Sequence, residues 1–290
     1  MKIESAYILA KLLRGCRKLK VFRGWDKLIR VIFPPEKQSP FKFQVPFEGC
    51  LYLGHANQFI DWNVFFYGVY EKDWLEFISE KLADRTDPIV LDVGANCGHH
   101  TLFFAAKGFR VHAFEPNPQL IPLIEEKVQI NSIGESVTIH PIGLGNESNT
   151  LPFALSDDEN QGTGSFRLDR NEGRVMVDLP ITEGDEYISS KKITKCDLIK
   201  IDVEGFEKEV LEGLSETFKK YAPVLWVEFS EPDPTKRISQ NFLENLFPCE
   251  YEYWIRVRDS KIFNIFKFQK IETIPNSGTF DIICIPIPED

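Results

Sequence analysis

The stretch VLDVGANCGHH, residues 90–100, decides the fold of this 290-residue chain. An apolar strand, interrupted by Asp92, leads into a turn that contains Gly94 and Gly98, and the turn leads into two histidines and an apolar helix. Glycine lets the backbone turn sharply and lets a ligand approach closely. A strand that passes through such a turn into a helix N-terminus is typical of ligand-binding loops in open parallel sheets.

The alternation of strands and helices continues beyond this stretch. Strands are predicted at IVLDV, RVHAFEP, SVTIHPIGLG, DLIKIDVEG, PVLWVEFSE, YEYWIRVRD and FDIICIPI. Helices are predicted between them at HHTLFFAAKG, PQLIPLIEEKVQINS and FEKEVLEGLSETFKK. Helices of this length between strands imply a parallel sheet that is covered on both faces. We therefore predict an α/β, Rossmann-like fold with a mostly parallel seven-stranded sheet and a β-rich insertion at 146–194.

The chain divides into three predicted parts. Residues 1–40 are a basic helical segment and linker, residues 41–87 are a hairpin and an aromatic-rich helical lid, and residues 88–290 are the α/β domain with its insertion. Up to Gln38 the chain has ten basic and three acidic residues, a net charge of +7. Because the whole chain has a net charge of −10, the remaining residues together carry −17. In this N-terminal segment, apolar residues recur at helical spacing with basic residues between them, which is typical of an amphipathic helix that lies on an anionic membrane surface. We favour the alternative, a solvated basic helix packed on the main domain.

Composition excludes several kinds of partner and site. A net charge of −10 repels a phosphate backbone, so we expect no nucleic-acid partner. The six cysteines are scattered without metal-ligand spacing, which predicts reduced thiols. Apolar runs are shorter than the roughly 18 residues that span a bilayer, and Lys11 and Arg14 interrupt any export signal. We expect a cytoplasmic protein, with peripheral contact at the inner membrane face if the basic segment binds lipid.

An acidic residue after the second strand points to a nucleoside. Glu115 lies 23 positions after Asp92 (115 minus 92), where a carboxylate can accept both hydrogen bonds of a ribose diol. A dinucleotide fingerprint G-x-G-x-x-G would need glycine where Asn96 and Cys97 or His99 stand, so NAD is disfavoured. A nucleoside that carries a cationic, amino-acid-like group needs no pyrophosphate cradle. A glycine-rich turn without a ligand is the alternative.

Several motifs of the chain together resemble one family. VLDVGANCGHHTLFFAAKG with HAFEPNP resembles the first motifs of class I S-adenosylmethionine-dependent methyltransferases, and DLIKIDVEGFEKEVLEGL resembles the hallmark of their FkbM family. GVYEKDW, PIGLGN, GTGSF, VEFSE and FDIICIP extend the resemblance over residues 67–286. The family more usually has leucine where Gly184 stands, which leaves the geometry of the insertion open. The resemblance implies a class I methyltransferase fold and S-adenosylmethionine as the cofactor.

The resemblance also implies roles for single residues. Asp92, Gly94, Asn96 and Gly98 would surround the methionine part of the cofactor, and Glu115 would hold its ribose. Asn117 and Ile142 would adjoin the adenine. Tyr67, Tyr70 and Glu71 in FYGVYEKDW are placed to close over the cofactor, although the tyrosines equally fit an aromatic packing face. The predicted cofactor-binding residues are Tyr70, Glu71, Asp92, Gly94, Ala95, Asn96, Gly98, Glu115, Pro116, Asn117, Ile142 and Asp202.

Methyl transfer to a hydroxyl requires an acceptor held in line and a base that takes its proton. The predicted catalytic residues are Asp202, Glu204, Glu228 and His100. We expect one of His99 and His100 to belong to the structural network instead. A divalent cation held by the carboxylates is an alternative that we do not favour, because the sequence fixes no set of three ligands. Gly162, Thr163 and Ser165 fit either an acceptor-side loop or a surface turn.

These observations predict an S-adenosylmethionine-dependent O-methyltransferase. The expected acceptor is a hydroxyl of a sugar, glycan, glycolipid or secondary metabolite, and the sequence leaves its identity and the oligomeric state open. A nicotinamide-dependent oxidoreductase is one alternative, opposed by the missing glycines. A non-catalytic scaffold that retains the cofactor fold within glycan assembly is another. The carboxylates at Asp202, Glu204 and Glu228 favour the enzyme.

Overall fold

The computed structural model describes residues 3–15, 25–34, 41–155, 175–229, 237–261, 263 and 265–288. The strands in these residues are β1 Lys42–Phe47, β2 Cys50–His55, β3 Ile89–Val93, β4 Arg110–Phe114, β5 Val137–His140, β6 Gly143–Gly145, β7 Asn149–Ala154, β8 Met176–Glu183, β9 Leu198–Ile201, β10 Val224–Phe229, β11 Tyr251–Arg258, β12 Phe266–Ile271 and β13 Phe280–Pro286. The helices are α1 Ile3–Gly15, α2 Trp25–Ile32, α3 Phe59–Tyr67, α4 Lys72–Lys81, α5 His99–Ala106, α6 Ile121–Ile130, α7 Gly184–Ser190, α8 Glu207–Gly213, α9 Ser215–Tyr221 and α10 Gln240–Leu246.

The large sheet has the strand order β12-β11-β13-β10-β9-β3-β4-β5. The strands from β10 to β5 run parallel, whereas β13, β11 and β12 join antiparallel at one edge. The chain winds outward from β3 to β5 and then returns to β9 on the other side of β3. Winding therefore reverses between β3 and β9, and such a point in an open α/β sheet is where ligands bind.

The centre of the sheet is buried on both faces. Every residue of IVLDV in β3 and of LIKI in β9 is buried, which explains why both strands read as nearly continuous apolar runs. One apolar cluster joins one face of the sheet to α3, α4 and α5, and a second cluster joins the other face to α8, α9 and α10. Helices thus cover both faces, as the alternation predicts.

The predicted α/β, Rossmann-like fold is confirmed, with differences in detail. The sheet has eight strands instead of seven, because Phe266–Ile271 adds β12 to the antiparallel edge. The predicted strand SVTIHPIGLG divides at Pro141 into β5 and β6, and β6 leaves the large sheet to pair with β8. The predicted helix FEKEVLEGLSETFKK divides at Leu214 into α8 and α9. Strand and helix periodicity encodes neither of these interruptions.

The predicted insertion contributes β7 and β8, which join β6 in a small sheet with the order β6-β8-β7. It also contains α7, which begins at Gly184, the position at which the family more usually has leucine. A Cβ atom there would lie 2.7 Å from the Gly213 carbonyl oxygen, so glycine permits α7 to pack closely on the end of α8. The predicted loop residues Gly162, Thr163 and Ser165 lie outside the described residues.

The segment before the sheet packs against it. The hairpin β1–β2 forms as predicted, and the helical segment after it divides at Gly68 into α3 and α4. Buried residues of α1, α2, the hairpin and α3 share one apolar cluster with Val90 of β3. Among the described residues, no helix is both long and apolar enough to cross a membrane. The five described cysteines form no disulfide.

Candidate active site

A cavity of about 230 Å³ lies beyond the carboxyl ends of β3, β4, β9 and β10. The loops after β3, β4 and β9 form one wall, and the segment before α4 and the first turn of α3 contribute to the rest. The predicted site residues that line it are Tyr70, Glu71, Gly94, Asn96, His100, Glu115, Pro116, Asn117, Asp202, Glu204 and Glu228. The fold therefore brings together eleven of the fifteen predicted site residues.

Four predicted cofactor residues do not line the cavity. Asp92 is fully buried and accepts a hydrogen bond from Thr101 Oγ1 at 2.6 Å. The Ala95 amide donates to the carbonyl oxygen at the end of β4, and Gly98 precedes α5. Ile142 packs in the apolar cluster on the α8 side of the sheet. These residues shape the loop after β3 and its surroundings, while their direct contact with a cofactor stays a prediction.

Glu115 is fixed by two backbone amides. Its Oε2 accepts from the Asn96 amide at 2.8 Å and its Oε1 accepts from the Asn117 amide at 2.9 Å. Burial raises the pKa of Glu115 to about 7, although both amides favour the ionised form and oppose the shift. A carboxylate has about four acceptor positions, so each oxygen can still accept one hydroxyl hydrogen. The arrangement therefore fits the vicinal diol of a ribose.

Asn117 adds a polar group that the described residues leave unsatisfied. It is fully buried, and its Oδ1 accepts from the Gln119 amide at 3.0 Å. Its Nδ2 has no hydrogen-bond partner among the described residues, although it belongs to a residue that lines the cavity. Buried amide groups are nearly always hydrogen-bonded, so this donor indicates a polar ligand atom beside it.

Gly94 allows two loops to touch through their backbones. Its φ is +78°, and a Cβ atom at this position would lie 1.9 Å from the Asp202 carbonyl oxygen. The loops after β3 and β9 thus meet at the point where winding reverses. A side chain at Gly94 would therefore force the two loops apart.

Lys200 is a site residue that the sequence analysis missed. Its buried Nζ donates to the Gly94 carbonyl at 3.1 Å and lies 3.5 Å from Asp92 Oδ1 and 3.4 Å from Asp202 Oδ2. Burial alone would lower the pKa of Lys200, but the carboxylates of Asp202, Asp92 and Glu71 raise it above its ordinary value. A lysine buried in an apolar strand requires acidic partners, so the sequence LIKID by itself indicates a buried ion pair at Lys200.

Two partly buried carboxyl groups line the part of the cavity beside β10 and β13. Glu228 of β10 and Asp281 of β13 both line the cavity, and Asp281 was also missed. Burial, followed by repulsion from Asp202 and Asp281, raises the pKa of Glu228, and burial likewise raises that of Asp281, which accepts a hydrogen bond from Trp226. At neutral pH this pair retains a proton and can donate a hydrogen bond to a hydroxyl oxygen.

The turn that carries Glu204 is held from within α8. Glu204 has φ +56°, which is uncommon for a residue with a side chain. Glu207 Oε1 accepts from the Gly205 amide at 2.8 Å and thereby fixes this turn. Burial raises the pKa of Glu207 to about 7. Glu207 was missed as well, although an acidic residue in the first turn of a helix is a recognised capping signal.

The two adjacent histidines have different surroundings. His100 lines the cavity, and its Nε2 lies 3.0 Å from Glu71 Oε2. His99 Nε2 lies 2.9 Å from the Tyr70 carbonyl oxygen. Burial, reinforced by His100, lowers the pKa of His99, so His99 is neutral. His99 thus belongs to the structural network, whereas His100 orients Glu71 at the cavity wall.

The described residues contain no group of three or more His, Cys, Asp or Glu side chains arranged to hold a metal ion. The carboxylates of the cavity are instead distributed around its walls, and Lys200 neutralises part of their charge. The site can therefore accept hydrogen bonds from hydroxyl groups on several sides.

The strand order, the reversal between β3 and β9, and the cavity at that point define a class I methyltransferase fold. The Methyltransferase FkbM domain matches residues 92–253, which is more than half of the chain. The chain belongs to the FkbM methyltransferase family. This membership removes the support for the nicotinamide-dependent oxidoreductase.

Individual relatives agree with the family. The chain is 30% identical over 175 residues to the hexuronic acid methyltransferase AglP of Haloferax volcanii, which covers 59% of this chain and 68% of that protein. It is 24% identical over 167 residues to the 2-O-methyltransferase NoeI of Sinorhizobium fredii, which covers 52% and 67%. The crystal structure of a FkbM methyltransferase from Methylobacillus flagellatus aligns with a TM-score of 0.44 and 17% identity, over 68% of this chain and 43% of that protein. This chain thus spans less than half the length of that structure.

Proposed function

We propose that the protein transfers a methyl group from S-adenosylmethionine to a hydroxyl oxygen of a sugar, glycan, glycolipid or related secondary metabolite. The observation that carries this proposal is the buried Glu115 carboxylate, which two backbone amides hold at the wall of a cavity that carries further carboxylates. Glu115 suits the ribose of the cofactor. The other carboxylates suit a hydroxylated acceptor.

The residues on the Glu115 side of the cavity suit S-adenosylmethionine. Bound there, this cofactor supplies a methyl group on a positively charged sulfur, which makes the methyl carbon electrophilic. Glu115 would accept hydrogen bonds from both ribose hydroxyls, and the unsatisfied Asn117 Nδ2 would donate to a polar atom of the nucleoside. Asp202 and Glu71 line the same cavity and would complement the positive charge.

Asp202 is the preferred base for the acceptor hydroxyl. Its side chain is 41% exposed, so an acceptor can reach it, and Lys200 holds it at 3.4 Å. As the bond between the acceptor oxygen and the methyl carbon forms and the sulfur–carbon bond breaks, the hydroxyl proton would pass to the Asp202 carboxylate. Burial and repulsion from Asp202 raise the pKa of Glu228, so Glu228 suits a hydrogen-bond donor better than a base.

The names of two relatives support a sugar hydroxyl as the acceptor. One relative is a hexuronic acid methyltransferase and another is a 2-O-methyltransferase. Several carboxylates around one cavity are suited to the multiple hydroxyl donors of a sugar. A scaffold without activity would have no need of accessible carboxylates such as Asp202, so the enzyme is the better proposal.

Two measurements test this function. Isothermal calorimetry should show binding of S-adenosylhomocysteine and no comparable binding of NAD. Radioactive S-adenosylmethionine, incubated with the protein and a fractionated extract of the source organism, should then label a product whose new methyl group is an ether. Binding of NAD without S-adenosylhomocysteine would refute the cofactor. Cofactor binding without transfer to any fraction would favour the scaffold, and loss of activity with a chelator would indicate a divalent cation.

A further inference from the structure

The helices α1 and α2 each bury one side against α3. The Tyr7 ring of α1 packs edge-on against Phe65, with 5.0 Å between ring centroids. Directly after α2, the Phe33 carbonyl accepts a hydrogen bond from Trp62 Nε1 at 2.8 Å, and the Phe33 ring lies 5.3 Å from that of Phe66. These contacts fix both helices on the body of the protein. Their other sides face solvent.

The solvent-facing sides of both helices are apolar. Ile8 and Leu12 of α1 and Leu28, Val31 and Ile32 of α2 are 48% to 79% exposed. Their spacings of three and four residues place them along one stripe on each helix. Ten large hydrophobic side chains are exposed in the described residues, and five of them are in these two helices. Such a concentration of exposed apolar side chains marks an interaction surface.

Basic side chains accompany the apolar stripes. Lys11, Lys27 and Arg30 are exposed on the same two helices. Residues up to Gln38 carry +7 while the remainder carries −17. An anionic surface therefore attracts this segment and repels the rest of the molecule, which restricts how the protein can approach it.

We propose that Ile8, Leu12, Leu28, Val31 and Ile32, together with the adjacent basic residues, form a docking face for an anionic lipid bilayer. The apolar stripes enter the boundary between headgroups and acyl chains, and the basic side chains contact the anionic headgroups. This interfacial mode needs no membrane-spanning helix. The net positive segment on a strongly acidic protein favours lipid over a second copy of the chain, whose corresponding face is equally basic.

The docking face adjoins the cavity. The Arg30 guanidinium of α2 lies 4.7 Å from the ring centroid of Phe59, and Phe59 and Ile60 line the cavity. The whole of α3, which supports both helices, is nine residues or about 14 Å long. A bilayer bound to this face would therefore lie near the cavity. On the function proposed above, the acceptor would then be a glycan carried by a membrane lipid.

Flotation of the full chain with phosphatidylcholine vesicles, with and without phosphatidylglycerol, tests docking independently of methyl transfer. We expect binding to the anionic vesicles that weakens sharply with salt. Leu28→Gln/Val31→Gln/Ile32→Gln should reduce the partition coefficient about tenfold or more, because it removes the apolar contact. The control Leu51→Gln/Ile130→Gln/Val175→Gln changes three exposed apolar residues elsewhere and should bind normally.

A charge-reversal pair tests the basic part of the face. Lys11→Glu/Lys27→Glu should also reduce binding about tenfold or more, whereas Lys191→Glu/Lys220→Glu, at exposed lysines elsewhere, should have a smaller effect. Equal binding to neutral and anionic vesicles, or no binding to either, would overturn the proposal. So would apolar variants that bind normally. Sedimentation that shows a dimer abolished by the triple variant would assign the face to self-association instead.

The lipid-carried acceptor needs a separate measurement. Labelled S-adenosylmethionine is incubated with the protein and with either the total lipid extract or the aqueous fraction of the source organism. Label in the lipid fraction supports this acceptor class. Label confined to the aqueous fraction overturns it and leaves vesicle docking intact, whereas no label in either fraction contradicts the proposed function itself.

Discussion

Glu228 and Asp281 stand directly opposite each other on the antiparallel strands β10 and β13, and both line the cavity. Two partly buried carboxyl groups on adjacent strands cannot both ionise readily, because each raises the cost of the other's charge. The Trp226 indole adds a hydrogen bond to Asp281. The proton that the pair retains leaves this wall of the cavity less anionic than its residues suggest.

Glu228→Gln should reduce the dependence of stability on pH. Burial raises the pKa of Glu228 from 4.5 to about 9, so the folded state binds more protons than the unfolded state across that range. The contribution of Glu228 to stability is therefore greatest at low pH and is lost as pH rises toward about 9. Glutamine cannot ionise, so the melting temperature of the variant should fall less over this range. Glu216→Gln, at an exposed position, should behave like the wild type; an equally steep decline in both variants would contradict the raised pKa.

Glu115→Ala should weaken the binding of S-adenosylhomocysteine. The change removes the charge-assisted hydrogen bonds to the ribose, which corresponds to roughly 1.5 to 3 kcal/mol of binding free energy. Calorimetry measures the affinity, and circular dichroism verifies folding. Glu125→Ala, at an exposed position on α6, is the matched control and should retain full affinity. Unchanged affinity in a folded Glu115→Ala protein would show that the cofactor lies elsewhere.

Asp202→Asn should slow the chemical step more than it weakens cofactor binding. Asparagine nearly preserves shape but cannot take the acceptor proton, so single-turnover transfer should fall by roughly 10² or more. Affinity for S-adenosylhomocysteine should change little. Asp178→Asn, on an exposed part of β8, should transfer methyl groups normally. Near-normal transfer by a destabilised Asp202→Asn protein would remove Asp202 as the base and direct attention to Glu204, Glu228 or His100.

Lys200→Met should destabilise the fold strongly. It leaves Asp92 as a buried carboxylate without its cationic neighbour, and breaking a buried ion pair costs about 3 to 5 kcal/mol of unfolding free energy. Chemical denaturation measures this loss. Lys220→Met at the surface should cost far less, and Lys200→Met/Asp92→Asn should recover part of the stability. If the double variant recovers nothing, charge burial is not the cause.

Gly94→Ala should destabilise the protein by more than backbone strain alone would, and it should also disturb the cofactor site. Gly94 and Gly108 both have φ near +80°, at +78° and +87°, but an added Cβ meets the Asp202 carbonyl oxygen at 1.9 Å in the first case and open space in the second. Gly108→Ala therefore isolates the strain, about 1 kcal/mol. Gly94→Ala should cost more and should also reduce S-adenosylhomocysteine affinity in calorimetry. Equal effects of both substitutions would exclude the close approach as their cause.

The sequence by itself determined the parts of the site that depend on short stretches. The strand and turn around Gly94, the spacing to Glu115 and the acidic residue Asp202 at a strand end are all local patterns. Alternating strands and helices require both faces of a sheet to be covered, which restricts the topology to a few arrangements. The resemblance of the motifs to a known family then predicted the class I fold and the methyltransferase activity.

Only the tertiary structure decided which side chains meet. Asp281 joins Glu228 because β13 inserts antiparallel beside β10, and no local periodicity specifies which strand takes that place. Lys200 serves Asp92 and Asp202 together because β9 lies next to β3, and the division at Pro141 sends β6 to another sheet. Periodicity reports which face of an element is buried. Contacts between residues distant in the chain depend instead on strand order and register, which the packing of the whole molecule sets.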